Sequence, residues 1–200
     1  MIKVTMKNKL REIIEEGKIP LQEVNVSGIT NMSEMFYNIK TINGDISNWD
    51  VSNVKYMWGM FENSAIDVDI SNWDVSNVHD MVSMFNDATF NGDISEWDVS
   101  SVENMFGMFW GSKFNRNISN WDVSNVRIMS FMFADSTFTG DIANWNTHNV
   151  KHAYSMFKNS KFNGDISSWN VSNMLDMAAC SSKLYLIKIF LSGMYKMCKI

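Results

Sequence analysis

Two hundred residues are enough for one domain with a buried core, and 46% hydrophobic and 20% charged residues place the chain among ordinary globular proteins. The net charge of -5 conceals an acidic middle, where residues 24–177 hold 8 Lys and Arg against 18 Asp and Glu. That sign repels a phosphate backbone and argues against nucleic acid as a partner. Both cysteines, Cys180 and Cys198, lie near the end, so no disulfide framework holds the core.

Taken in chain order, residues 1–23 are predicted to form an N-terminal capping helix and a lead-in segment. The charged, amphipathic stretch KNKLREIIEEGK carries that helix, and no apolar run of a signal peptide precedes it. Residues 24–177 are a tandem repeat. Trp49, Trp73, Trp97, Trp121, Trp145 and Trp169 recur every 24 residues. Three positions before each stands Ile46, Ile70, Ile94, Ile118, Ile142 or Ile166. Met-Phe pairs follow at Met60-Phe61, Met84-Phe85, Met108-Phe109, Met132-Phe133 and Met156-Phe157. A partial first copy has Val24 in the place of Trp and ends in Met35-Phe36. One partial copy and about six repeats result.

Two elements are expected within each copy. Ile-x-x-Trp-x-Val, with Trp and Val two apart, predicts a short strand. Val-x-x-Met-x-x-Met-Phe predicts a short helix, its apolar positions falling within an arc of roughly 120°. Ser-Asn before Val, as in Ser52-Asn53, suits an N-cap, and Asn-Gly, as in Asn91-Gly92, suits a turn. So short a unit cannot bury its own apolar face, whereas stacked copies can. The fold class expected is therefore an α/β, leucine-rich-repeat-like solenoid with one short parallel strand and one short helix per 24-residue repeat. The Trp column is expected to be buried, with methionines filling the gaps between turns. Residues 178–200 lose the repeat and are read as either a divergent C-terminal cap or an aberrant end. Their most apolar stretch, Leu184 to Tyr195, contains Lys188 and is too short to span a bilayer.

The unit FNGDISNWDVSNVxxMxxMF resembles the BspA-like leucine-rich-repeat surface proteins of bacteria. Their repeat is also met in mycoplasmal lipoproteins as a domain of unknown function. The resemblance spans about residues 21–177 and implies surface display with adhesion or protein binding, not a reaction. It carries over no catalytic residue, no cofactor and no metal ligand. Cell-surface or secreted placement follows from the resemblance alone, since no lipid-attachment cysteine stands near the start.

Two acidic columns invite a metal reading. Asp45, Asp69, Asp93, Asp141 and Asp165 stand four before Trp, with Asn117 in line, and Asp50, Asp74, Asp98 and Asp122 stand one after. Calcium would favour such carboxylates. An Asx-turn at each copy is the favoured reading, because Asn replaces Asp in both columns, at Asn117 and at Asn146 and Asn170. His148 and His152 are read as a solvated pair, and Trp58 and Trp110 as either rim packing or binding hot spots. Repeated positions supply identical side chains and not the mixed constellation that catalysis needs, so no enzyme is expected. The function expected is protein–protein or cell-surface recognition by a monomer with an extended repeat surface. The alternative is a rigid scaffold stabilised by calcium along the acidic columns. Candidate partner-binding residues are the variable pairs Lys55-Tyr56, His79-Asp80, Glu103-Asn104, Arg127-Ile128 and Lys151-His152. The other candidate face is the uniform stripe of Asn48, Asn72, Glu96, Asn120 and Asn144 beside the Asp column.

Overall fold

The computed structural model of the chain describes residues 1–177. The chain opens on β1 (Ile2–Lys3) and α1 (Lys7–Glu16), followed by a 3-10 turn at Leu21–Glu23 and β2 (Val24–Asn25). β1 lies parallel to β2, with Ile2 opposite Val24 and Lys3 opposite Asn25. α1 buries Leu10, Ile13 and Ile14, the spacing of a one-faced helix. Gly17 ends it in the left-handed conformation at φ 62°, which glycine, lacking a Cβ, adopts without strain. Arg11 on α1 donates to the carbonyls of Glu34 and Met35, each at 2.9 Å, and so ties the helix to the first copy.

Within the repeats the element assignment is corrected. From Val26 to Met177 the described chain forms no run of helix and no extended strand. Single parallel bridges instead join each copy to the next: Asn31 to Tyr56, Tyr56 to Asp80, Asp80 to Asn104, Asn104 to Ile128, Ile128 to His152 and His152 to Asp176. They lie seven residues after Trp, not at the Ile-x-x-Trp-x-Val segment where a strand is expected.

The segment expected to be helical is a chain of tight turns. Met60 N–H bonds the Met57 carbonyl at 3.2 Å and Glu62 N–H that of Gly59 at 3.1 Å, three residues back and not four. The alternate N–H groups leave the copy: Met57 donates to Asp80, Gly59 to Val82, Phe61 to Met84 and Asn63 to Asn86. A helix would satisfy these donors internally and leave nothing to bind the next copy. Val54, Met57 and Met60 are spaced by threes, which fits a three-residue turn better than a 3.6-residue one.

This alternation has a backbone signature. Positive φ occurs ten and fourteen residues after the Trp position in all six copies from Val24 to Trp145, at Glu34, Asn38, Gly59, Asn63, Ser83, Asp87, Gly107, Gly111, Phe131, Asp135, Ser155 and Asn159. Glycine fills three of these places and Asn or Asp five, the residue types that tolerate the left-handed region. Ser83, held at φ 52°, has no such tolerance. Ser83→Gly is expected to stabilise the protein by about 1 kcal/mol, read as a higher urea midpoint.

The core runs through the copies as columns. The six column tryptophans are 3–6% exposed, and the rings of Trp49 and Trp73 stack at 6.5 Å, as do those of Trp121 and Trp145. Each indole N–H donates to a backbone carbonyl of the preceding copy: Trp49 to Leu21, Trp73 to Ile46, Trp97 to Ile70, Trp121 to Ile94, Trp145 to Ile118 and Trp169 to Ile142, at 2.9–3.0 Å. The first copy has no earlier repeat to accept such a bond, and Val24 has no side-chain N–H to leave unpaired. Behind the tryptophans Phe36, Phe61, Phe85, Phe109, Phe133 and Phe157 stack at 5.1–5.8 Å. A second stack, Phe90, Phe114, Phe138 and Phe162, lies against the first at 4.3–4.5 Å.

The Asn-Gly expectation also changes. Of the Asn-Gly pairs, Asn43-Gly44 has positive φ, 108° at Gly44, but Gly92 and Gly164 do not; a Cβ at either of these, or at Gly140 in the same place, would lie 2.7–2.8 Å from the ring of Phe90, Phe162 or Phe138. The glycine leaves room for the phenylalanine two residues before it. The extra residue between the first two copies falls between Phe36 and Ile46, outside the bridges. The expected C-terminal cap or aberrant end at 178–200 lies outside the described residues.

Candidate interaction surface

The uniform polar columns are engaged with their own backbone. Asp45, Asp69, Asp93, Asn117, Asp141 and Asp165 each accept the N–H two residues on, at 2.8–3.0 Å. Asp50, Asp74, Asp98, Asp122, Asn146 and Asn170 do the same at 2.9–3.3 Å. These are Asx-turns at every copy, made equally well by Asp and Asn. The Ser-Asn expected to cap a helix does other work: Asn53, Asn77, Asn125, Asn149 and Asn173 donate to carbonyls of the preceding copy at 2.7–3.0 Å.

The Asx-turns shift acidity in one direction. The backbone N–H groups of Ser47, Ser95 and Ser167, then their hydroxyls, hold Asp45, Asp93 and Asp165 below the ordinary carboxylate value. At Asp69 and Asp98 the hydroxyls of Ser71 and Ser100 contribute most. A carboxylate depressed on folding adds stability above its unfolded pKa and loses it as pH falls through the folded one. The urea midpoint is therefore expected to fall between pH 5 and pH 3. Asp69→Asn should make that fall shallower, since Asn117 makes the same turn uncharged.

The candidate partner residues lie on the outside along the bridges. Lys55, His79, Glu103, Arg127 and Lys151 are all exposed, and their backbones form one continuous series, each N–H from His79 onward bonding the carbonyl of the residue before it in the column at 2.9–3.0 Å. Glu103, Arg127 and Lys151, with Asn125 and Asn149, line a shallow groove of about 270 Å³. Glu103 and Arg127 approach to 3.7 Å, an exposed pair worth about 0–1 kcal/mol. The neighbouring column, Tyr56, Asp80, Asn104, Ile128 and His152, makes the bridges themselves. There Asp80 accepts from Val82 N–H at 2.9 Å and Asn104 from Phe106 N–H at 3.1 Å, so both hold turns as well. The stripe residues Asn48, Asn72, Glu96, Asn120 and Asn144 are exposed, alternating with the buried tryptophans.

The two histidines read as a solvated pair each meet a side chain of the next copy. His152 Nδ1 lies 2.9 Å from Asp176, and His148 Nδ1 lies 3.0 Å from the Asn170 amide. Among the described residues no three His, Cys, Asp or Glu side chains gather as a metal ion would require, and no helix is long and apolar enough to cross a membrane.

Sequence reasoning singled out Trp58 and Trp110 but missed the aromatic cluster to which Trp110 belongs. Phe131 stacks on Trp110 at 5.0 Å and meets Phe106 at 5.6 Å and Tyr154 at 5.4 Å. Tyr154 is 41% exposed, and Phe106, Trp110 and Phe131 are half-buried. Phe131 is held at φ 59°, a strained conformation for a bulky residue, at a place where other copies have Gly, Ser or Glu. The signal was present as aromatic residues nine, ten and thirteen places after Trp, at positions whose identity otherwise varies. Trp58 is 38% exposed and carries the Lys7 ammonium 5.8 Å from its ring centroid. Beside it an acidic row follows the left-handed positions. Burial, then the like charges of Glu34 and Asp87, raise the Glu62 carboxyl above its ordinary value.

The family model described as a Mycoplasma protein of unknown function, DUF285, matches residues 4–113 and again 89–188. No curated protein and no solved structure matches the chain.

Proposed function

We propose that this chain, which belongs to the Mycoplasma protein family of unknown function DUF285, is a non-enzymatic recognition module that binds a protein or cell-surface partner along its repeat surface. The fold we infer is a leucine-rich-repeat-like solenoid built from tight turns, similar to the BspA-like surface proteins. One observation carries this reading. Outside the Asn stripe beside the tryptophans, the recurring side chains are committed inward or to neighbouring backbone, while variable ones lie outside along the bridges. Specificity in a repeat protein resides in what varies between copies, because invariant positions are those that stacking itself requires. Repetition also supplies the same side chain many times over, and catalysis needs different ones converging on a point.

The test is attachment of the fluorescent full chain to a panel of cultured cells and matrix proteins. A variant with Ala at Lys55, His79, Glu103, Arg127 and Lys151 should fold normally and lose at least tenfold in attachment to a surface that the unaltered chain binds. A second variant, with Ser at the exposed stripe from Asn48 to Asn144, should retain it. Undiminished attachment in both, with native circular dichroism, would exclude these two faces.

A further inference from the structure

We propose that the shelf formed by Phe106, Trp110, Phe131 and Tyr154 binds an extended, Lys- or Arg-bearing segment of a partner protein. The proposal rests on the recognition role above and names the chemistry of the ligand.

Beside the aromatic faces runs a column that holds carboxylates from the copies before and after Trp110. Asp135, from the following copy, accepts the Trp110 indole N–H at 3.1 Å and an amide N–H of Asn159 at 2.9 Å, and these bonds fix its position next to the ring. Asp87, from the preceding copy, lies against Gly111, where any Cβ would run into its carboxylate. Among the described residues neither aspartate pairs with a Lys or Arg. Aromatic faces attract cations through their quadrupole, and carboxylates beside them reinforce the same sign. Phe131 adds a second reason to expect a ligand: a strained, half-buried phenylalanine persists where serine serves in the copies of Trp73 and Trp145.

The chain contains its own example of such binding. Trp58 stands nine residues after its column tryptophan, as Phe106 and Tyr154 do in theirs, and Lys7 of α1 lies over it. At the N-terminal end of this face, then, a basic residue from outside the repeats already rests on an aromatic ring. A neutral glycan also stacks on aromatic faces, but it gives no reason for carboxylates beside Trp110 that lack a Lys or Arg partner among the described residues.

The probe is a fluorescein-labelled peptide of four Lys-Gly pairs, titrated into the full chain by anisotropy, with a Glu-Gly peptide and cellohexaose as comparisons. The Lys-Gly peptide should bind, and the Glu-Gly peptide and cellohexaose should not. Phe131→Ser, which installs the residue that Ser83 and Ser155 place at this position, should weaken binding at least tenfold, and Trp110→Ala likewise. Asp69→Asn, away from the shelf, should change it less than twofold. Equal binding to all variants would mean diffuse attraction to the acidic columns and would overturn the proposal. So would no peptide binding, or preferential binding of cellohexaose. If the shelf variants lose attachment to cells while the peptide never binds, the basic ligand is wrong and the recognition role stands. If the chain attaches to no surface and binds no peptide, both fail.

Discussion

Trp97→Ala is expected to destabilise the protein by about 3–5 kcal/mol, the range of large aromatic truncations in a core. The indole is 4% exposed, and its N–H is bonded to the Ile70 carbonyl at 3.0 Å, so the substitution opens a cavity and removes a buried hydrogen bond together, while the carbonyl keeps its bond from the Trp73 N–H at 3.1 Å. Trp97→Phe separates the two effects. It retains most of the apolar volume but loses the indole hydrogen bond, and should cost about 0.5–1.5 kcal/mol for that bond. Urea unfolding of both variants measures the difference. Because each copy bonds its neighbours, the loss at the central tryptophan should also split unfolding into two steps, one for each side of the weakened interface.

Phe109→Ala should cost a similar amount, about 3–5 kcal/mol, for a different reason. The ring is fully buried and meets Phe85 and Phe133, each at 5.6 Å, Phe114 at 4.4 Å and Trp121 at 6.2 Å. No hydrogen bond is involved, so the whole effect is packing. Phe109→Leu should cost less than about 1.5 kcal/mol if area dominates, and more if parallel stacking adds its own term. Chemical denaturation of this pair decides between them.

The repeat was fully legible in the sequence, because a Trp every 24 residues fixes the register that the bridges follow. Burial of Trp, Ile, Met and Phe, and the exposure of the residues flanking Trp, were legible for the same reason. Local conformation was not. Over nine residues, apolar positions three apart fit an amphipathic helix and a series of three-residue turns alike. The deciding clue, Gly, Asn and Asp recurring at ten and fourteen places after Trp, is spread across copies and vanishes at Phe131. Asn within the acidic columns favoured Asx-turns over metal binding, and every one of those positions makes the turn. The aromatic shelf was hidden because Phe106, Trp110, Phe131 and Tyr154 belong to three copies and three different places within the copy, brought together only by stacking.

Hydrogen exchange of the eight indole N–H groups, followed by nitrogen-15 NMR of the full chain, tests the stacked arrangement most directly. The six column tryptophans each donate to a buried carbonyl of the preceding copy, while Trp110 donates to an exposed aspartate and Trp58 lies at the surface. Six slowly exchanging indole signals and two fast ones are the expected result. Eight signals exchanging together, or fast exchange at Trp73, Trp97 and Trp121, would contradict stacking in this register.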